Sequence, residues 1–480
     1  MTICPSSAGM NDSFLNDTIV APATVPGTGA ISILRISGPE AFRLVDAVVQ
    51  LKQGTVSESD AYTIHFGSVS GLDEVLVSVF RAPHSYTGED SVEISCHASR
   101  YIVEEMLRRL VDAGCRMAEP GEFTRRAFLN GKMDLAQAEA VADVIAFTSA
   151  AAHRVAFNQL RGGFSSELSA LRGELVEMTS LLELELDFSE EDVEFADRER
   201  LLSLIDRTRS HVDRLAASFK DGNAIKNGVP VAIVGAANVG KSTLLNALVG
   251  EDRALVSEVA GTTRDTIEEV INLDGLLFRF IDTAGIRETS ETVERMGIER
   301  TFRKISEAEI VIGVLDATSE ESVLLNNLKL IVDKLDATAQ ELVVCLNKVD
   351  LVSDLVVNKF VTMINEFVSC SDLNSIIVKS AFKRLLGLPE LRSALVSLKS
   401  NLLDGGDSTF VTNERHYQAL LQTSSALADA RRALTSGVYS DLVAEDLRRA
   451  ISSLNQILGQ DLIDPETVLH SIFRKHCIGK

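Results

Sequence analysis

The sequence predicts a fold of the α/β plus all-α class, in which a second α/β domain interrupts a helical domain. Three observations carry this prediction. The chain has 480 residues, about three times the ~150 residues of a common domain, so two or three domains are expected. Short β-rich runs separated by Gly, Pro and Ser occupy residues 1–130, and strands alternate with helices over residues 226–390. Helical periodicity fills the stretches between and after these segments.

In the first segment the β-rich runs are residues 30–36 and 74–80. Helical character begins at Leu135, and an apolar stripe then recurs at spacings of 3, 4, 3 and 4 residues, as one buried helix face requires. This stripe consists of Leu168, Leu171, Leu175, Met178 and Leu182. The acidic stretch 187–194 interrupts or ends that helix.

Five apolar runs in the second α/β segment have the length of buried strands and are separated by helical stretches, which is typical of βαβ units around a parallel sheet. They are residues 231–234, 277–281, 310–315, 342–346 and 376–378. Helical periodicity returns over residues 415–462. We therefore predict an N-terminal domain of residues 1–130, a discontinuous helical domain of residues 131–225 and 391–480, and an inserted domain of residues 226–390.

The composition indicates an ordinary globular protein, with 45% hydrophobic and 24% charged residues. A formal net charge of −22 disfavours indiscriminate binding to nucleic acid or to an anionic membrane, because such surfaces repel the molecule. Any RNA partner is therefore expected to be held by local basic patches or by a second protein.

The six cysteines are scattered without C-x-x-C spacing and without a histidine cluster beside them. This pattern favours a reducing compartment and argues against a structural zinc or a disulfide frame. No basic leader precedes an apolar core at residues 1–17, and no apolar run reaches the roughly 18 residues of a membrane span. We expect a cytoplasmic protein with no membrane partner.

The segment Gly235–Ser242 fits G-x-x-x-x-G-K-S between the strand 231–234 and the helical stretch 243–249. In such a loop the glycines let backbone N–H groups wrap phosphates, Lys241 supplies a positive charge to the β- and γ-phosphates, and Ser242 offers a hydroxyl to Mg²⁺. The alternative is a chance glycine-rich turn between strand and helix.

A second element, Asp282–Gly285, ends the strand 277–281 and lies 41 residues after Lys241. A carboxylate in this place reaches the metal shell, and the Gly285 amide can sense a γ-phosphate. Alone, a D-x-x-G tetrapeptide is more often an ordinary turn.

A third element, Asn347–Asp350, follows the strand 342–346. The Asp350 carboxylate can accept hydrogen bonds from guanine N1–H and from the exocyclic amine, a pattern that adenine does not present. The ordered set therefore indicates GTP. Residues 380–382 are a weaker candidate for a second loop that contacts guanine.

The residue after the D-x-x-G element is Ile286, whereas small signalling GTPases place there a glutamine that orients water. Another group must orient the water. Nearby carboxylates are Glu288, Glu291 and Glu294, and nearby arginines are Arg264 and Arg287. The plainer interpretation of the acidic run is a solvated helix start with favourable N-terminal charge.

Several motifs along the chain point together to one family. They are Gly235–Ser242 with Asn238 at its fourth position, Ala260–Asp265, Asp282–Glu288, Val293–Arg300, Asp17–Ala21, Leu34–Gly38, Pro120–Glu139 and Cys477–Lys480. In this combination they resemble the MnmE (TrmE) family of tRNA modification GTPases. The resemblance runs from end to end, and it implies an N-terminal tetrahydrofolate-binding-like α/β domain that forms a homodimer and an inserted Ras-like P-loop G domain.

For the G domain the resemblance implies activation by potassium and by contact between two G domains. A K⁺ ion held by Asn238, Ser257, Val259 and Thr262 would place positive charge beside the phosphates, where other GTPases use an arginine. Mg²⁺ would be held by Ser242 and Thr263, and the catalytic Glu294 would orient water. The GTP-contacting residues implied are Asn238, Val239, Gly240, Lys241, Ser242, Thr243, Ser257, Glu258, Val259, Ala260, Gly261, Thr262, Thr263, Asp282, Thr283, Ala284, Gly285, Asn347, Lys348, Asp350, Ser380, Ala381 and Phe382.

For the N-terminal domain the resemblance implies a site for 5-formyltetrahydrofolate or a related one-carbon folate, formed by Arg35, Glu93, Lys132 and Lys480. Such groups suit an anionic glutamate tail and a pterin edge with amide-like donors. Without the resemblance, Arg35 and Glu93 are more often structural ion partners. One departure is close by: residues 97–99 are His-Ala-Ser, where the family usually has His-Gly-Gly. Glycines allow a positive φ and a close approach of the backbone to a ligand. Their replacement puts in question whether the folate pocket has the family's shape.

The segment around Cys477 contains Arg474, Lys475, His476 and Lys480, an electropositive setting that lowers a thiol pKa in principle. Here too a plain packing role is the common alternative for a lone cysteine. The resemblance puts this tail at the folate-facing dimer surface, and we predict a functional thiol at Cys477 without assigning it a covalent step.

The family resemblance implies a GTPase that acts with an FAD-dependent, MnmG-type partner, as a heterotetramer, on the wobble uridine (position 34) of certain tRNAs. Its C5 acquires an aminomethyl or carboxymethylaminomethyl group, and GTP hydrolysis drives a conformational change of the G domains. Two alternatives stay open: a regulatory GTP switch in ribosome assembly without base chemistry, and a folate enzyme with a vestigial G domain.

Overall fold

The computed structural model describes residues 17–187, 198–252, 269–281, 305–369, 375–403, 409–436, 440–460, 472–473 and 479. The chain divides into two compact units. One unit comprises Met1–Ala146, Ala156–Arg209 and Gln422–Lys480, and the other comprises Phe147–Val155 and Ser210–Leu421. This division is coarser than the domain limits expected from the sequence, which stay predictions.

The first unit contains a seven-stranded sheet. In chain order its strands are β1 (Ile19–Pro22), β2 (Ile31–Ser37), β3 (Gln50–Leu51), β4 (Thr63–Val69), β5 (Asp73–Phe80), β6 (Ser91–His97) and β7 (Arg116–Met117). In space their order is β3-β4-β5-β6-β2-β1-β7, and every described pair is antiparallel except β1 with β7. The predicted runs 30–36 and 74–80 correspond to β2 and β5.

One face of this sheet forms the core of the unit, because alternate residues of each strand point to opposite faces. Val75, Val77 and Val79 of β5 are all buried. They pack with apolar residues of two helices, α1 (Ala41–Asp46) and α2 (Arg100–Ala113). The opposite face carries Arg35, Glu93 and several exposed apolar side chains described below.

In the described part of the chain, six further helices precede the second sheet. They are α3 (Glu122–Leu129), α4 (Leu135–Ala146), α5 (Ala150–Leu160), α6 (Gly163–Asp187), α7 (Arg198–Ala217) and α8 (Phe219–Asn227). The predicted apolar stripe lies on α6, and all five of its residues are buried. This confirms the predicted helix.

The second unit contains a six-stranded sheet. Its strands are β8 (Val229–Val234), β9 (Glu269–Leu273), β10 (Leu276–Phe280), β11 (Ile310–Asp316), β12 (Glu341–Asn347) and β13 (Ser375–Lys379), in the spatial order β13-β12-β11-β8-β10-β9. All neighbouring pairs are parallel except β9 with β10. The five predicted strands are confirmed, and β9 is an antiparallel edge strand that the periodicity did not indicate.

Helices cover both faces of this sheet and bury two apolar cores, as parallel strands require. They include α9 (Lys241–Asp252), α10 (Glu321–Val332), α11 (Asp354–Ser369), α12 (Leu388–Leu398) and α13 (Ser400–Leu403). The remaining described helices are α14 (Glu414–Thr435) and α15 (Ser440–Leu458). Because α15 packs along α6, residues far apart in sequence form one helical layer of the first unit. Among the described residues no helix has the length and apolarity of a membrane span.

Candidate functional site

The phosphate loop begins where β8 ends and closes where α9 begins. The buried Val234 is followed by Gly235, whose backbone has φ +150°. A Cβ at Gly235 would lie 2.4 Å from the carbonyl oxygen of Val314 on β11. Only glycine fits here, because a side chain at this position would collide with the backbone of the neighbouring strand β11.

Two more backbone positions shape the loop. Asn238 has φ +61° and an exposed side chain, and Gly240 has φ +107°. The helix α9 starts at Lys241, whose Nζ donates to the carbonyl oxygens of Gly235 and Ala236 at 2.8 and 2.5 Å. Unpaired N–H groups at a helix N-terminus attract anions, so this geometry suits a phosphate chain. Ser242 and Thr243 lie in the first turn of the same helix.

Asn347 joins the phosphate loop to the loops that follow β12 and β13. Its side chain is buried, its Nδ2 donates to the Val239 carbonyl at 2.8 Å, and its Oδ1 accepts from the Phe382 backbone N–H at 3.1 Å. One carboxamide therefore fixes three predicted motifs against each other. The contact of Asn347 with the nucleotide, expected from the sequence, stays a prediction.

The two charged residues after Asn347 each have an ionic partner. Lys348 has φ +62°, and its Nζ lies 2.5 Å from Oδ2 of Asp316. Burial alone would raise the pKa of the Asp316 carboxyl, but hydrogen bonds from Lys348 and Thr318 hold that pKa below its ordinary value. Asp350, the predicted guanine-reading carboxylate, forms an ion pair with Arg384, whose Nε lies 3.1 Å from Oδ2 of Asp350.

The loop that follows β13, residues 380–382, contributes backbone hydrogen bonds to this site. Ser380 is fully buried, its N–H donates to the Leu346 carbonyl at 2.8 Å, and its own carbonyl accepts from the Val349 N–H at 3.1 Å. Ala381 and Phe382 are also buried, and the Phe382 ring packs into the core of the second unit. The Phe382 ring is therefore part of that core, and the predicted contact of residues 380–382 with guanine stays a prediction.

Many predicted residues lie outside the part of the chain that the structure describes. They are Ser257, Glu258, Val259, Ala260, Gly261, Thr262, Thr263, Asp282, Thr283, Ala284, Gly285, Glu294, Cys477 and Lys480. Their roles stay predictions.

In the first unit, Arg35 and Glu93 face each other on neighbouring strands β2 and β6. Their side chains form an ion pair at 2.8 Å and are mostly buried. A guanidinium NH1 of Arg35 also donates to the carbonyl oxygen of Gly479 at 3.3 Å. The structure thus brings together two predicted folate ligands and the residue next to Lys480.

Aromatic rings surround this ion pair. The Arg35 guanidinium carbon lies 5.3 Å from the ring centre of Tyr86 and 5.7 Å from that of Phe123. Burial raises the pKa of the Tyr86 phenol, so this group stays protonated near neutral pH. Lys132, the third predicted ligand, donates to the Pro83 carbonyl at 2.9 Å. No contact is described between Lys132 and the Arg35–Glu93 pair.

Two contacts at these sites were not foreseen from the sequence. Arg384 was not predicted to reach Asp350, and Gly479 was not predicted to contact Arg35. The backbone of Gly479 has φ +97°, a conformation that favours glycine. This explains the glycine in the Cys477–Lys480 motif, which the sequence alone did not explain.

The second unit combines a mostly parallel sheet, a glycine-rich loop that opens a helix, and an Asn-Lys-x-Asp loop tied to that glycine-rich loop. Together these features define a P-loop nucleotide-binding domain of the GTPase class.

Comparisons with known proteins give the family. The family model described as "GTP-binding protein TrmE N-terminus" matches residues 18–132, and "MnmE helical domain" matches residues 135–477. The tRNA modification GTPase MnmE of Bacteroides fragilis is 48% identical over 471 residues, which are 97% of this chain and 99% of that protein. The same enzyme of Bacteroides thetaiotaomicron is 48% identical with the same coverage, and that of Parabacteroides distasonis is 46% identical over 96% of this chain and 100% of that protein. This chain belongs to the MnmE family, and it is a GTP hydrolase that acts in tRNA modification.

Similar solved structures include the FeoB G domain from Methanococcus jannaschii, which is 23% identical, with a TM-score of 0.24 over 35% of this chain and 96% of that chain. A GTP-binding protein from Sulfolobus solfataricus in complex with GDP has 20% identity, 48% and 67% coverage and a TM-score of 0.28. Likenesses of this size add nothing to the family assignment.

Proposed function

We propose that the protein is a potassium-dependent GTPase that works with an FAD-dependent, MnmG-type partner on the wobble uridine of certain tRNAs. The C5 atom of this uridine acquires an aminomethyl or carboxymethylaminomethyl group, with the one-carbon unit supplied through a folate and the amine by ammonium or glycine. GTP hydrolysis changes the conformation of the G domain and does not touch the base. The observation that carries the GTPase part is Asn347, which ties the phosphate loop and the guanine loop into one site.

The potassium part of the proposal is supported by Asn238. Its left-handed backbone and exposed side chain leave the carboxamide with no hydrogen-bond partner among the described residues. An amide oxygen at this position suits a hard monovalent cation, whose charge stabilises the negative charge that develops between the β- and γ-phosphates. Ser242, in the first turn of α9, offers the hydroxyl that Mg²⁺ takes in P-loop proteins.

The test is GTP turnover by the full chain in KCl against NaCl at equal ionic strength. We expect a strong increase in kcat with potassium, which the Asn238→Ala variant loses. Asn246→Ala is the matched control, because Asn246 is exposed on the following helix α9 and is not a proposed ligand. Equal turnover in both salts would contradict the potassium proposal.

The folate part is supported by the chemistry of the Arg35–Glu93 pair. The guanidinium suits a carboxylate of a glutamate tail, and the Glu93 carboxylate suits the N–H donors of a pterin edge. The rings of Tyr86 and Phe123 offer apolar faces beside these charges. The His-Ala-Ser departure at residues 97–99 needs no strained backbone, since Ser99 is extended with φ −100° and ψ 130°.

Calorimetric titration of the full chain with 5-formyltetrahydrofolate tests this site. We expect Glu93→Gln to weaken binding about 10- to 100-fold, because a hydrogen bond to a charged group contributes about 1.5–3 kcal/mol. Glu74→Gln is the matched control, since Glu74 is exposed on the adjacent strand β5. Binding that is unaffected by Glu93→Gln would exclude this pair as the ligand site.

The proposed homodimer is supported by the open face of the seven-stranded sheet. Ile64 and Phe66 on β4 and Leu76 on β5 point away from the core and are 68%, 46% and 47% exposed. Phe66 and Leu76 are direct cross-strand partners, so these side chains form a contiguous apolar patch of the kind found at interfaces. The patch lies on the same sheet face as Arg35 and Glu93.

Analytical ultracentrifugation of the Phe66→Asp variant tests the dimer. We expect dissociation to monomers with the fold retained. Val111→Asp is the matched control, because Val111 is 40% exposed on α2, which packs against the opposite face of the sheet. A dimer that survives Phe66→Asp would exclude the patch as its interface.

The same proposal includes the heterotetramer with the FAD-dependent partner, tRNA as substrate and a cytoplasmic location. A net charge of −22 fits a protein that obtains its RNA through a partner with a basic surface. It also includes residues 1–130 as the folate and dimer domain, 131–225 and 391–480 as the helical domain, and 226–390 as the G domain. Co-sedimentation of tRNA with the chain alone and with the partner present tests this division of labour.

A further inference from the structure

We propose that Arg384 competes with the guanine base for the Asp350 carboxylate and so weakens nucleotide binding and speeds nucleotide release. This inference goes beyond the proposed function but rests on it in one respect, namely the assignment of Asp350 to guanine. The carrying observation is the ion pair between Nε of Arg384 and Oδ2 of Asp350 at 3.1 Å. A guanine N1–H and exocyclic amine need both oxygens of this carboxylate, including the Oδ2 that Arg384 engages.

The loop that carries Arg384 is held in place by its own backbone. The Arg384 N–H donates to the Ala381 carbonyl at 2.8 Å, and Ala381 forms an isolated β-bridge with Leu386. The Phe382 side chain anchors the loop in the core, and its N–H is bonded to Asn347. The guanidinium is therefore presented to Asp350 by a fixed short 3-10 turn and not by a free loop.

The sequence explains why an arginine takes this position. The residue directly after Ser380-Ala381 is Phe382, whose buried apolar ring offers no charge to Asp350. The two cations of the turn come next, at Lys383 and Arg384, and only Arg384 has a described ion pair with Asp350. The guanidinium of Arg384, two residues after Phe382, thus pairs with the Asp350 carboxylate.

The exposure of the two side chains sets the size of the effect. The Arg384 side chain is 72% exposed and that of Asp350 is 19% exposed. Solvent screens such a pair, so its contribution is that of a surface ion pair. We expect its removal to lower the Kd for GDP by a factor of about two to five, with most of the change in the dissociation rate.

Stopped-flow displacement of a fluorescent GDP analogue from the full chain measures both quantities. Arg384→Ala is expected to bind more tightly and to release nucleotide more slowly than the original chain. Lys383→Ala removes the same charge from the neighbouring residue and is the control, which is expected to leave both values unchanged. Weaker binding by Arg384→Ala, no change, or an equal change in both variants would each overturn the inference.

A second variant separates this inference from the assignment of Asp350. Asp350→Asn should shift preference from guanine to xanthine nucleotides, since a side-chain amide can donate to the xanthine 2-oxo group. In that background Arg384→Ala should no longer affect affinity for xanthosine diphosphate, because the amide forms no ion pair. If the base preference does not change, the guanine assignment of Asp350 fails and the competition with it. If the preference changes but Arg384→Ala alone has no effect, only the competition fails.

Discussion

Replacing Asn347 with alanine removes the side chain that holds the phosphate loop to the two guanine loops. The Val239 carbonyl and the Phe382 N–H both lose their described side-chain partner. Both residues are buried, at 4% and 2% exposure. An unsatisfied buried polar group costs about 1–3 kcal/mol, so we expect the G domain to lose about 2–6 kcal/mol of unfolding free energy.

The substitution Gly240→Ala tests the contact between the phosphate loop and Asn347 from the side of the phosphate loop. A Cβ at Gly240 would lie 2.4 Å from Nδ2 of Asn347, and the φ of +107° at this position adds strain of about 1–3 kcal/mol for alanine. In the Asn347→Ala background the clash disappears while the backbone strain persists. The double variant should therefore be more stable than the sum of the single effects predicts, by about 0.5–3 kcal/mol.

The chain contains no tryptophan, so urea unfolding is best followed by far-ultraviolet circular dichroism, with hydrogen exchange to locate the change in residues 229–403. Asn358→Ala is the control, because Asn358 is exposed on α11 and should change stability by less than about 0.5 kcal/mol. Affinity for GTP should fall in Asn347→Ala and not in Asn358→Ala. Full stability of Asn347→Ala, or additive effects in the double variant, would refute the proposed joint.

Two further predictions concern the first unit. Burial favours a raised pKa for Glu122, but its hydrogen bonds and the charges of Arg116 and Arg126 lower that pKa below the ordinary 4.5. The free energy of unfolding should therefore fall as the pH drops below about 4.5. Glu122→Gln should reduce this dependence on pH in thermal melts. Gly479→Ala would place a Cβ 2.1 Å from the Pro22 carbonyl oxygen, so folate affinity should decrease in calorimetry while GTP turnover stays unchanged.

Strands β2 and β5 of the first sheet and five of the six strands of the second sheet could be predicted from the sequence, because long apolar or alternating runs leave little choice of structure. The runs 310–315 and 342–346 became β11 and β12 with shifts of one residue at their ends. The edge strand β9 escaped notice because its run is short and half-polar. Its turn, Asp274-Gly275 with φ of +50° and +91°, is the Asp-Gly signal of a tight hairpin and could have indicated it.

At the candidate site, the sequence identified the loops but not the contacts between them. The strand-to-helix context predicted the phosphate loop, since glycine spacing and strand order are local properties. The joint made by Asn347 and the pair between Asp350 and Arg384 depend on how separate loops meet after folding. No spacing rule within one motif contains that information, and the burial of the Phe382 ring could be known only from the packed core.

The most direct test of the account is nucleoside analysis of tRNA from cells that lack this protein, with the same cells complemented by the original chain or by its Lys241→Ala variant. We predict that the aminomethyl or carboxymethylaminomethyl group at C5 of the wobble uridine disappears, returns with the original chain and stays absent with Lys241→Ala. Unchanged wobble uridine in the deletion cells, or full restoration by Lys241→Ala, would contradict the claim that GTP hydrolysis by this chain serves tRNA modification.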